Sequence, residues 1–325
     1  MIYHNISISV IINGLLVIEN LKSIKIDKPL KSLSDTAKIE LPREFKLNDQ
    51  VNFKGKRLLD FINTGDFIVI QLGYDGDLET EFSGYITEVG ADIPTVIKCE
   101  DEMHQLKRTG KINKTYQKIS LKELVKDIAP GYPVQAMNMQ FDKFMVENAT
   151  AYEVLEDLKK YGIRCKFRNG IIEAGMPLDF SQTTSYELRF KQNIRKSSKL
   201  VYSTVDQKAV KVKAISIQKG SSEKITYEYG KAKNGQRTLH APLNLSLDQL
   251  KSWTEDYYKN IVFEGYEGSI DGWCYPRVNA GDVIKLTDPN YPDKHRDGKY
   301  LVDSVVLTAN EQNGIKRTSE LSVKL

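Results

Sequence analysis

Cysteine and histidine are scarce in this chain, with three and four copies in 325 residues. Cys99, Cys165 and Cys274 are far apart, odd in number and never in a CxxC pair. That spacing argues against a disulfide framework or a thiolate zinc site and favours buried free thiols in a reducing compartment. His4, His104, His240 and His295 form neither an HExxH nor an HxH spacing, so they read as surface or satisfied core residues. A GxSxG elbow is missing, and so is a Gly-rich phosphate loop closing on Gly-Lys-Ser/Thr. No apolar run approaches the length of a membrane span. Residues 1–5 lack the basic region and apolar core of a secretory leader. Charge of one sign is also missing, since 47 basic residues face 43 acidic ones for a net +4. The basic clusters at Lys107-Arg108 and across 189–199 are flanked by acidic or plain polar residues, and read as solvated surface. These absences set the expectations: a protein made and folded in the cytosol, not membrane-inserted, with neither metal nor cofactor.

What is present is β-forming. Seventeen Tyr and eleven Phe accompany many Ile and Val, which suit strands better than helices. The length allows two or three domains. The most informative stretch is 65–89. After Gly65-Asp66, residues 67–72 are apolar, Asp75-Gly76 is a turn pair, and 82–89 resumes an extended pattern. Phe82, Gly84 and Ile86 share one face, with Glu81, Ser83, Tyr85 and Thr87 on the other, which predicts a hairpin with one dry side. The same order returns near the C-terminus. Gly281-Asp282 precedes Val283, Ile284 and Leu286, and a turn-rich loop leads to a strand from Gly298. The chain is therefore expected to be mainly β, with two related β-barrel domains at 1–111 and 179–325.

Between them the pattern changes. Ser120 with Glu123, and Thr150 with Glu153, are capping boxes that open two short amphipathic helices. The first ends at Pro130-Gly131 and the second at Gly162, which suits a left-handed cap. A hairpin turning at Asn169-Gly170 completes a small α+β module over 112–178, with Pro177 at its exit. Elsewhere, Asn13-Gly14 predicts a two-residue hairpin, Pro42 the end of the strand from Thr36, and 43–64 a polar excursion. Turns are expected at Lys219-Gly220-Ser221-Ser222 and Asn234-Gly235, and Ser246 with Gln249 opens a third helix to about Ile261.

Candidate chemistry is thin. Asp75-Gly76-Asp77 and Asp288-Pro289-Asn290 offer too few regularly spaced oxygens for calcium and read as turns. Glu79 and Glu81 lie on one strand face as glycosidase acids do, but nothing in the sequence raises their pKa, and they read as exposed strand acids. No catalytic residue is assigned, and the expectation is not an enzyme.

The order of these elements resembles the baseplate hub proteins of contractile phage tails. These are the late control protein D group and the N-terminal hub part of VgrG spikes from type VI secretion. The resemblance runs through 35–42, Gly65-Asp66, Gly73-Tyr74-Asp75-Gly76, 82–86 and 97–100. It continues in the helices opening at Ser120, Thr150 and Ser246, then Gly265-Tyr266-Glu267-Gly268 and Gly281-Asp282-Val283. It implies a structural homotrimer whose two barrels per chain make a pseudo-sixfold ring between a tail tube protein and a central spike. It further implies assembly in the bacterial cytoplasm, then a place in a virion or injection-particle baseplate. The sequence given stops at Leu325 without the β-helical extension of VgrG, so the spike is expected to be a separate protein. Within this reading, Phe82, Gly84 and Ile86, with Val283, Ile284 and Leu286, are the expected ring-forming edges. A carbohydrate-binding or adhesive tail protein and a nucleic-acid-binding barrel are the alternatives, and no sequence-specific nucleic-acid contact is expected.

Overall fold

A computed structural model describes residues 5–19, 21–41, 61–92, 94–175, 184–217, 223–241, 245–310 and 312–325. Pro42, Pro177, the 219–222 turn, His4 and most of the 43–64 excursion lie outside the described residues.

The first region holds β1 (Ile6–Ile12), β2 (Leu16–Ile18), β3 (Ser23–Pro29), β4 (Thr36–Leu41), β5 (Phe67–Tyr74), β6 (Asp77–Val89) and β7 (Thr95–Glu100). Then come α1 (Met103–Lys107), β8 (Ile112–Ser120), α2 (Leu121–Ile128), β9 (Val134–Ala136), β10 (Gln140–Ala149), α3 (Ala151–Asp157), β11 (Arg164–Arg168) and β12 (Ile171–Gly175). The last region holds β13 (Ser185–Arg189), β14 (Lys199–Ser203), α4 (Val205–Lys208), β15 (Lys211–Ile217), β16 (Lys224–Tyr229) and β17 (Gln236–His240). It ends with α5 (Leu247–Ile261), β18 (Gly265–Gly272), β19 (Val283–Thr287), β20 (Gly298–Asn310) and β21 (Gly314–Lys324). The protein is mainly β with an α+β insertion.

The two strand-rich regions are joined by hydrogen bonds. β3 pairs antiparallel with β20, Ile26 opposite Leu307, which links both into one 13-stranded sheet running from β14 to β2. Their side chains form one core: Ile12, Ile39 and Ile70 share it with Ile284, Tyr300 and Ile315, all at most 2% exposed. Each large aliphatic buried this way contributes about 1.5–3 kcal/mol, so the two regions stabilise each other.

The insertion has a separate core of Leu121, Leu124, Val154, Leu155, Phe141 and Ile172, against which Leu33 also packs. Both capping boxes form, with the Ser120 and Thr150 hydroxyls accepting from the Glu123 and Glu153 amides. A 3-10 turn, Leu158–Tyr161, follows α3 directly, and Gly162 closes it at φ +78°. The antiparallel pair β8–β10 is an addition to the sequence reading. Its alternation is weak because Tyr116 is the one fully buried residue of β8, and a bulge interrupts β10 after Val146. At Asn13-Gly14 both φ are positive, as read, but Ile12 pairs with Leu16, so the loop has three residues and Leu15 is pushed out to solvent. The three cysteines are buried and free.

Candidate functional site

The duplicated Gly-Asp openings are built alike down to single hydrogen bonds. In the first, the Asn63 amide donates to Asp66 Oδ2 at 2.7 Å and the Gly65 amide to the Ile86 carbonyl at 2.7 Å. In the second, Asn279 donates to Asp282 Oδ2 at 2.7 Å and Gly281 to the Val302 carbonyl at 2.8 Å. Ile86 and Val302 then donate back to the carbonyls of Asp66 and Asp282. Gly65 and Gly281 sit at φ +95° and +91°, where a side chain is strained. The repeated element is thus Asn-x-Gly-Asp followed by a strand. Asn63 and Asn279 were the part of this signal that the sequence reading passed over.

The second turn also meets the other parts of the molecule. Lys28 of β3 donates to Asn279 Oδ1 at 3.2 Å, and Arg168 of β11 donates to the Ala280 carbonyl at 2.6 Å. Around this turn opens a cleft of about 420 Å³, lined from the first region by Lys28, Asp35, Glu81 and Asp101, and from the insertion by Lys166 and Arg168. Asn279, Ala280 and Asp282 close it from the last region.

Beneath the cleft lies an ion cluster. Arg317 of β21 is 2% exposed and spends all three guanidinium nitrogens. Nη2 donates to Glu81 Oε1 at 2.6 Å, Nη1 to the Val278 carbonyl at 2.9 Å and Nε to the Cys274 carbonyl at 3.3 Å. Lys28 and Arg277 approach the same carboxylate at 3.5 and 3.7 Å. Arg277 also pairs with Glu79 at 2.6 Å. Burial holds the Lys28 ammonium below the usual lysine range, opposed by the Glu81 charge. At the insertion's joint, Lys166 pairs with Asp35, and Asp101 accepts the Asp35 and Met103 amides at 2.8 and 3.1 Å. Burial, with the Asp35 charge second, pushes the Asp101 carboxyl up to about 7.

Glu81 therefore corrects the sequence reading: it is a buried acid shared by three cations. The reason is a bulge. Ile70 pairs with Phe82 but Gln71 with Thr80, so Glu81 is the extra residue and turns inward beside Phe82. Arg317 was legible in principle, because Ile315, Arg317, Ser319 and Leu321 are the inward positions of β21.

The six expected edge residues are placed differently. Phe82, Gly84 and Ile86 are buried, and a Cβ on Gly84 would fall 2.1 Å from the Glu100 carbonyl oxygen. β19 is paired on both sides, parallel to β13 and antiparallel to β20, so Val283, Ile284 and Leu286 line an interior strand rather than a free edge. Among the described residues, the strands of this sheet paired on one side only are β2, β14 and β13. Asp75-Gly76 and 288–290 are turns, and no group of three His, Cys, Asp or Glu is arranged to hold a metal among the described residues. No described helix is long and apolar enough to cross a membrane.

No family model matches the chain, and no curated protein matches it in sequence. Among solved structures the fold is that of phage tail proteins and of VgrG-type type VI secretion components. The 43 kDa tail protein of prophage MuSo2 from Shewanella oneidensis superposes with a TM-score of 0.67 over 98% of both chains, at 15% identity. The Escherichia coli c3393 protein, described as a component of the type VI secretion system, gives a TM-score of 0.59 over 97% of this chain and 76% of its own, at 13% identity. A VgrG-containing complex from Francisella gives 0.58 over 99% of this chain and 58% of its own, at 10% identity.

Proposed function

We propose that the chain is a structural baseplate hub of a phage tail or phage-like injection particle. In this reading it acts without catalysis, as a trimeric pseudo-sixfold ring joining the tail tube to a separate spike. The observation that carries it is the repeated Asn-x-Gly-Asp hairpin inside one continuous sheet. Two alike units per chain turn threefold symmetry into near-sixfold, which is what a joint between mismatched symmetries requires. The division at 111 and 178 gives these units and the insertion, and the cleft's ion pairs hold the three in a fixed relation. Neighbouring copies meet at the open strands β2 and β14, where Val17 and Val201 stand 43% and 65% exposed. Assembly would take place in the bacterial cytoplasm, with the final location in the particle's baseplate.

The test is the solution mass by light scattering, with negative-stain images of the same peak. The expected result is the mass of three chains and a ring of sixfold outline. A monomer at every concentration, with and without candidate tube and spike proteins, overturns the reading.

A further inference from the structure

The chain's positive charge is segregated. Residues 205–240 contain eight basic and three acidic side chains, a net +5, whereas the whole chain carries +4, so everything else sums to −1. This segment forms β15, β16 and β17, a three-stranded sheet separate from the large one. α5 packs on one of its faces, where Val212, Ala214 and Ser216 are buried. Strand alternation turns Lys211, Lys213, Ile215, Ile217, Lys224, Thr226, Gln236 and Thr238 to the opposite face, partly or fully exposed. Glu228 is the one acid on that face among the described residues, and it is shared by Lys211 and Lys213. The exposed Lys231 extends the basic surface in the loop after β16.

We propose that this face binds the phosphate backbone of double-stranded nucleic acid without reading its sequence. Thr226, Gln236 and Thr238 beside the lysines are hydrogen-bond donors of the kind that position a backbone, and Ile215 and Ile217 stand at the far end of β15. The face carries no aromatic side chain among the described residues, since Tyr227 and Tyr229 alternate to the α5 side. It therefore lacks both the stacking platform that single strands require and the aromatic anchor typical of a protein partner. This inference concerns the single chain and does not depend on ring assembly.

Fluorescence anisotropy of the full chain with two labelled duplexes of unrelated sequence tests it. Both are expected to bind alike, with affinity falling steeply between about 50 and 200 mM salt and a log–log slope of about −3. Combining Lys211→Gln, Lys213→Gln and Lys224→Gln should weaken binding at least about tenfold and flatten the slope by about 2 to 3. A control combining Lys122→Gln, Lys126→Gln and Lys143→Gln, exposed positions of the insertion with the same charge change, should leave it unaltered. Absence of binding at about 50 mM salt overturns the proposal. So does an equal loss in the control, or tighter binding to polyglutamate than to duplex at equal charge concentration.

Discussion

The Arg317 guanidinium donates to the Glu81 carboxylate at 2.6 Å across 236 residues of chain, and both side chains are at most 3% exposed. The bond ties the last strand of the molecule to the first region's bulged strand, over which the cleft opens. Neither charge is tolerable alone in that setting, because desolvating an uncompensated ion costs several kcal/mol.

Glu81→Gln and Arg317→Met should each destabilise the fold, by about 3–5 kcal/mol for the acid, which three cations share. A double-mutant cycle by urea denaturation should return a coupling above about 1.5 kcal/mol. Additive effects would mean that the pair does not act as a unit.

The duplicated turns allow a matched comparison. Asp282 is 4% exposed and Asp66 half-buried, yet both accept the same Asn amide. Asp282→Ala should cost about 1–3 kcal/mol and Asp66→Ala about 0.5–1.5 kcal/mol, since water satisfies the freed amide more readily at the Asp66 turn. Equal losses in thermal or urea unfolding would contradict this ranking.

Asp101 imposes a pH dependence of a definite sign. The folded chain holds this proton up to about pH 7, whereas an unfolded aspartate releases it near its ordinary value of about 3.9. Between these limits the folded state binds more protons, so stability falls as pH rises from about 4 to 7. Asp101→Asn should flatten the urea midpoint across that window, and an unchanged slope in the variant would assign the effect elsewhere.

The open strands bear on assembly alone. Val17→Lys and Val201→Lys place a charge on surfaces that are already exposed in one chain, so unfolding should shift by less than about 0.5 kcal/mol. The mass in solution should fall toward one chain if copies meet there. An undiminished trimer moves the contact to another surface.

Much of this molecule was legible locally. The capping boxes at Ser120, Thr150 and Ser246 need residues three apart, and all three formed. The turns at Asn13-Gly14, Asp75-Gly76 and Asn169-Gly170 took the positive φ angles that Gly and Asn permit. The repeat of Gly-Asp was also visible, and its hydrogen bonds repeat with it. β8 and β10 were not visible, because a strand with one buried side chain, or with a bulge, leaves no clean period.

The sequence by itself determined the elements whose cause lies within a few residues: caps, turns, dry strand faces and the duplicated opening. Tertiary structure alone decided which strands became edges, that β3 would pair with β20, and that Glu81 would be buried. A bulge opposite Ile70 and Gln71 rotates Glu81 inward, and its stabilising partners come from β3, β21 and the segment before β19. Electrostatic compensation of a buried charge depends on distance in space, and no local pattern encodes a contact made across 236 residues.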